Sequence, residues 1–380
     1  MVSRRLVVIK VGTSSITTED GKLDELEMEK LALEISTAMK KSTKVVLVTS
    51  GAVAAGIAEL GIPSTSKDIV FKQAFAASGQ GVLMAKYREL FKLHGIKVAQ
   101  ILLTAEDLSN RTSYLHTSNV LNLLLKVGVL PIVNENDVTS TDELTPTSQG
   151  YRVNFSDNDI LSVLVANVIR ADMVIILSDV DGLYDKDPQD PNAVVLKSVD
   201  KITPELKSAM SGKSRLGRGG IQSKLRAAEI ATRSGIPVVL ANSRRENVIP
   251  DILEGKDVGT FFKSNETTMP AVKRWIAYGA SVKGQIFVNA GAREAIFKGS
   301  SLLPVGVTKV VGHFKSGDVV GLVDENNKEF AKGNPNYTSD ELNVIKGLKV
   351  AEITKKLGHA GPKEVVGRKK IHLATTNEEQ

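Results

Sequence analysis

Residues 7–16 read VVIKVGTSSI, an apolar run that stops at a glycine and three hydroxyl side chains. An unbroken Val/Ile run, rather than an alternating one, marks a strand buried on both faces. Lys10 stands inside it, where an unpaired ammonium is costly to bury. Two readings are open at this point. Lys10 is a solvated strand end, or it is a cation held for an anionic ligand. The same texture recurs at Leu6–Val11, Lys44–Val48, Val98–Leu103, Val129–Val133, Met173–Leu177 and Pro237–Leu240. Longer segments with helical spacing lie between these runs, as in Ile221, Leu225, Ala228 and Thr232. Strands alternating with helices predict an α/β fold, a three-layer α/β/α sandwich around a mostly parallel sheet. In such sheets ligands bind beyond the carboxyl ends of the strands, so the post-strand loops become the candidate site segments.

Composition sets the outer limits. The 380 residues are 42% hydrophobic, enough for two or three domains with real cores. No apolar run reaches the roughly 18 residues of a membrane span. The start, MVSRRLVVIKVG, passes into a strand without a cleavage pattern, so no signal peptide is expected. The absence of cysteine excludes disulfides and thiolate metal sites and fits a reducing, cytoplasmic location. The charge is uneven: residues 271–380 carry 17 Lys and Arg against 11 Asp and Glu, so the whole net charge of +6 lies there. That asymmetry fits a second domain with an anionic partner, or a solvated surface ending in the basic GRKKIH at 367–372.

The texture changes after residue 265. We expect a catalytic domain over 1–265 and a linker over 266–283 containing TTMPAVKRW. Short β-rich runs with Gly, Pro and Asn turns, from GQIFVNAGAREAIF to LNVIKGLKVAEI, predict a small β-barrel-like domain over 284–360. A polar tail over 361–380 is expected to be disordered.

The post-strand loops carry the chemistry. Gly12-Thr13-Ser14-Ser15 follows the first strand, and Thr49-Ser50-Gly51 opens a helix after the second, with Ser50 as its expected N-cap. The fourth run leads into Asn134-Glu135-Asn136-Asp137, and Asn154–Asp159 follows. Such oxygen-rich clusters suit a small zwitterion or Mg²⁺, and equally suit turns and caps. Ser178-Asp179 ends the fifth run, and Gly217–Lys224 is a glycine-rich loop entering a helix. Neither a Walker-type loop nor a dinucleotide fingerprint is present. The five histidines, at 94, 116, 313, 359 and 372, form no triad pattern. Two lysines near glycine loops, a carboxylate set and amide-rich helix starts are the equipment of phosphoryl transfer.

These motifs resemble the amino acid kinase family. The matching stretches are IKVGTSSI, VTSGAVAAG, AASGQG, QILLT, PIVNEND, DNDILSVLVA, LSDVDGLYDKDP and GRGGIQSKLRAAEIA, in that order. The set resembles the members that phosphorylate the γ-carboxylate of L-glutamate, the first step of proline biosynthesis, rather than kinases of acetylglutamate, aspartate or UMP. GSSLLPVGVTKVVGHFKSGDVV resembles a PUA domain. The resemblance implies that Lys10 contacts the transferring phosphoryl group and Lys224 stabilises charge on the nucleotide side. It implies that Asp159 orients both lysines while Asp157 supports the site. Ser50, Gly51, Asn134, Asp137 and Asn158 match glutamate-binding positions. Lys10, Gly12, Ser178, Asp179, Arg218, Gly219, Gly220, Ile221, Gln222, Ser223 and Lys224 match ATP-binding positions.

ATP and Mg²⁺ are the implied cofactors, with no protein metal ligand assigned. The implied partners are a second copy of the chain, as dimer or tetramer, and a glutamyl-phosphate reductase. Proline as feedback inhibitor is implied by the family, but the longer 138–156 segment departs from its pattern, as does Arg218 where threonine is common. Two alternatives stay open: another acyl-phosphate-forming amino acid kinase, and a PUA protein that binds RNA.

Overall fold

A computed structural model describes residues 5–62, 69–104, 107–108, 110–139, 158–186, 190–209, 220–264 and 282–373. The apolar runs become strands β1 (Leu6–Val11), β2 (Lys44–Val48), β3 (Val98–Leu103), β4 (Leu130–Glu135) and β5 (Met173–Ser178), followed by β6 (Ser198–Val199), β7 (Val238–Asn242) and β8 (Thr260–Phe262). They form one eight-stranded sheet in the order β3-β4-β2-β1-β5-β7-β8-β6. Pairing is parallel except between β7 and β8. The chain fills one side of β1 first, through β2, β3 and β4, and then crosses to β5 on the other side. That reversal beside β1 opens a crevice at the carboxyl ends of β2, β1 and β5.

Helices α1 (Glu25–Lys40), α2 (Ala52–Leu60), α3 (Ile69–Leu93), α4 (Arg111–Lys126), α5 (Asn158–Ile169), α6 (Pro204–Ala209), α7 (Gly220–Arg233) and α8 (Val248–Leu253) accompany the strands. Val7, Ile9 and Val11 of β1 join a core with Met28, Leu31 and Ile35 of α1, Tyr87 and Phe91 of α3, and Val248 of α8. Strand side chains alternate between faces, so Val8 and Lys10 point the other way, toward α5. In α5 every residue from Asp159 to Ile169 is buried, as its near-continuous apolar sequence requires.

Two glycines fix how α2 meets α3. A Cβ on Gly56 would sit 1.8 Å from the Phe75 carbonyl oxygen, and one on Gly79 would sit 2.0 Å from the Ala52 carbonyl oxygen. Only glycine lets these two helix backbones touch.

The chain divides into two compact units, Met1–Ala105 with His116–Thr268, and Glu106–Leu115 with Met269–Gln380. The second unit carries a five-stranded sheet of β9 (Val282–Val288), β10 (Val307–Gly312), β11 (Val319–Val323), β12 (Glu329–Gly333) and β13 (Ile371–Leu373), in the order β10-β9-β11-β12-β13. Two expectations are corrected here. Parts of the runs read as β-rich are helices, Ala290–Phe297 and Ser339–Ile345. Asn289 caps the first through its side chain, and a Thr338–Glu341 capping box starts the second. The tail does not lose order at Gly361. Buried Val365, Val366 and Ile371 join the second core, and Ile371–Leu373 pairs with β12. Of the expected linker, only residues 282–283 fall among the described residues. No described helix is long and apolar enough to cross a membrane.

Candidate active site

The crevice beside β1 holds a charged cluster. Lys10 Nζ lies 2.6 Å from Asp159 Oδ1, with side chains only 7% and 2% exposed. The other carboxylate oxygen, Oδ2, is 3.2 Å from Lys224 Nζ. Lys224 stands one turn into α7 and also donates to the Gly220 carbonyl oxygen at 3.3 Å. One carboxylate is therefore shared by two ammonium groups, which leaves these three side chains one positive charge in excess. In a poorly solvated crevice that excess attracts an anion strongly. At Gly12 a Cβ would lie 3.4 Å from Lys10 Nζ, so glycine keeps the approach to the ammonium open.

A neutral network adjoins it, joined through the neighbouring residue on α5. Asn158 Nδ2 donates to Ser50 Oγ at 2.8 Å and to Asn134 Oδ1 at 3.2 Å. Asn134, buried at the end of β4, donates from Nδ2 to Gln80 Oε1 of α3 at 2.8 Å. The expected capping role of Ser50 is corrected. The N-cap of α2 is Gly51, held at φ +98° where glycine is at ease, and no side chain caps the helix. Ser50 is thereby released to face Asn158. Asp137 lies in the turn after β4 and is partly exposed.

On the other side of β1, Ser178 ends β5, one residue beyond the Val11–Leu177 register pair. Its hydroxyl donates to Asp179 Oδ1 at 2.9 Å, and its carbonyl oxygen accepts from Ser243 N–H at 2.7 Å. Gly220, Ile221, Gln222 and Ser223 form the first turn of α7, with Gln222 Nε2 donating to the Lys207 carbonyl oxygen at 3.5 Å. The structure thus brings Lys10, Asp159 and Lys224 together, and separately Ser50, Asn134 and Asn158. Asp157, Arg218, Gly219 and the segment 140–157 lie outside the described residues.

Two supports of the site lie outside the post-strand loops. Thr49 Oγ1 and the Tyr87 hydroxyl share a buried hydrogen bond of 2.7 Å just before Ser50, and burial pushes the Tyr87 phenol up, keeping it neutral. Gln80 is the other. Its signal is a polar side chain on the same stripe of α3 as buried Phe75, Ala76 and Leu83. No described group of three or more Asp, Glu, His or Cys side chains converges as a metal site.

Known proteins bear on this arrangement. The amino acid kinase family model matches residues 5–242, and the PUA domain model matches residues 284–357. The chain is 42% identical to a glutamate 5-kinase of Thermoanaerobacter sp. (strain X514) over 98% of both chains. It is 43% identical to one from Moorella thermoacetica (96% of this chain, 95% of that one) and 42% identical to one from Methanosarcina barkeri (97% and 96%). The chain with the shared carboxylate between two lysines therefore belongs to the amino acid kinase family.

Proposed function

We propose that this chain transfers the γ-phosphoryl group of ATP to the γ-carboxylate of L-glutamate, the first step of proline biosynthesis. The observation that carries the reading is the Asp159 carboxylate shared by Lys10 and Lys224, set directly beside the Ser50–Asn158–Asn134 network. The first set supplies positive charge for a transferring phosphoryl group. The second supplies hydrogen bonds for a small polar acceptor. Similarity to glutamate 5-kinases over nearly the whole chain supports the choice of glutamate.

The chemistry asks little else of the protein. A glutamate γ-carboxyl, with a pKa of about 4.3, is ionised at neutral pH, so no general base is needed. One carboxylate oxygen forms a bond to the γ-phosphorus while the bond to the β-bridging oxygen breaks, giving ADP and an acyl phosphate. Lys10 balances charge on the moving group and Lys224 on the nucleotide side, and Asp159 holds the two ammonium groups apart until phosphate replaces part of its charge. Gly12, Ser178, Asp179 and the start of α7 line the nucleotide side in this reading.

Asp159 is already committed to two lysines and no carboxylate cluster is described around it. That donor set fits a Mg²⁺ carried on the phosphate oxygens rather than held in a protein cage. When bound, the ion offsets phosphate charge. Acyl phosphates hydrolyse readily, so a reductase that consumes the product is the fitting next step, and the absence of cysteine suits the cytoplasm.

The test is to incubate the full chain with ATP, Mg²⁺ and single amino acids, trapping acyl phosphate with hydroxylamine. Hydroxamate should form from L-glutamate. Hydroxamate from aspartate or acetylglutamate, and none from glutamate, would overturn the reading.

A further inference from the structure

The amide network has a direction, and one backbone group decides it. Glu135 N–H donates to Asn134 Oδ1 at 2.9 Å. A backbone N–H cannot reverse, so the Asn134 oxygen must face it, and the Asn134 NH₂ must face Gln80. Gln80 in turn must present Oε1, which accepts from Asn134 Nδ2 at 2.8 Å. Asn158 meets the same Asn134 oxygen at 3.2 Å and must turn its NH₂ toward it. That NH₂ also donates to Ser50 Oγ at 2.8 Å. At the far end Asn158 Oδ1 is left as a buried acceptor with no partner among the described residues. Gln80 Nε2 likewise has no acceptor among the described residues. An amide whose donor meets no acceptor among the described residues while its oxygen is held on Asn134 is a poor packing choice and a good aiming device.

We propose that Gln80 is a positioning residue that, together with the Glu135 N–H, holds the direction of the Asn134–Asn158–Ser50 chain, so that the acceptor subsite offers oxygen and selects a ligand carrying a donor, the α-ammonium group of the amino acid. The proposal rests on the glutamate reading and assigns how that site tells glutamate from dicarboxylates lacking an amine. Without the Gln80 oxygen, Asn134 Nδ2 loses its partner, and the Glu135 N–H alone is left to hold the amides in one orientation. Lys10, Asp159 and Lys224 are untouched, so the chemical step keeps its charges.

The test compares the whole chain with its Gln80→Met and Gln80→Glu variants. Methionine keeps the shape and removes the acceptor, and glutamate keeps an acceptor at the same reach. Acyl phosphate formation is measured with L-glutamate and with glutarate, which lacks the amine. Gln80→Met should raise KM for glutamate about 10-fold while kcat stays within about 3-fold and KM for ATP is unchanged. Its preference for glutamate over glutarate should shrink by a similar factor, and Gln80→Glu should recover most of that preference. An unchanged preference in Gln80→Met, or an equal loss for both acceptors, would overturn the proposal. If Gln80→Met does not fold, Gln80→Glu decides alone: a wild-type glutamate preference supports an acceptor role, and a lost preference in a folded protein ends it. Failure of the wild type to use glutamate at all would instead overturn the parent reading.

Discussion

Asn158 and Asp159 are neighbours on the first turn of α5, yet they serve two unlike halves of the site. Asp159 sits in a charged half, where its ion pairs to Lys10 and Lys224 are 2.6 and 3.2 Å long. Asn158 sits in a neutral half of amides and a hydroxyl that reaches Gln80. Ion pairs are strong but indifferent to orientation, so an arriving phosphate can take over the lysines with little rearrangement. Amide hydrogen bonds are weaker and directional, so their worth lies in which way each group points. The difference teaches a division of labour: charge is pooled where a group moves, and direction is fixed where a ligand must be recognised.

That contrast can be broken by experiment. The largest effect should come from Asp159→Asn, which strands the buried Lys10 and the half-buried Lys224 and should cost about 3–5 kcal/mol of stability. A non-hydrolysable ATP analogue should raise the melting temperature of this variant more than that of the wild type, because phosphate replaces the missing anion. An equal rise in both would mean that Asp159 is not exchanging its lysines with phosphate. Next come Lys10→Ala and Lys224→Ala, each expected to lower kcat by roughly 10²–10³-fold with little change in KM for glutamate. Should steady-state kinetics show mainly a KM effect, the lysines belong to the binding half and the division fails.

Smaller effects probe the frame. Gly79→Ala forces a Cβ to within 2.0 Å of the Ala52 carbonyl oxygen. It should lower stability by about 1–3 kcal/mol and disturb the neutral half more than the charged half, because Gln80 is its neighbour. Denaturant unfolding together with KM values for both substrates checks this. The smallest effect lies behind β1, where buried Glu34 on α1 accepts from Ile249 N–H at 2.8 Å. Burial holds its carboxyl above the usual range, against the opposing pull of the N–H groups of Asn247–Ile249 and of Lys30. A raised folded value means that the contribution to stability is present at low pH and is lost as pH rises through that value. Glu34→Gln should therefore gain stability relative to wild type as pH rises above the usual carboxylate range, at about 2–4 °C per kcal/mol. A difference that is flat with pH would refute it.

Much of the fold was legible. Unbroken runs such as Leu6–Val11 and Lys44–Val48 appear as strands with those bounds because burial on both faces leaves a local signature. Lys10 was legible as an anomaly for the same reason. Other expectations fail where one residue type serves two ends. Ser50 reads as a cap, but Gly51 can take the positive φ that closes the turn, and that frees the serine. The run from Gly361 reads as a frayed tail because its apolar residues are sparse, although three of them fill a second core. Gln80 lies within AASGQG on the apolar stripe of its helix, which marks it as buried but does not say what its amide meets.

The order of strands and helices, the residue types at the strand ends and the charge available to the site are written in the chain. These follow from side-chain periodicity and composition, which act over a few residues. Folding alone brings Lys10 and Lys224 to one carboxylate and turns Asn134, Asn158 and Gln80 the same way. Such pairings join groups far apart in the chain, and their direction hangs on the backbone N–H of Glu135, which no residue type encodes, and on the Gln80 oxygen facing it across Asn134.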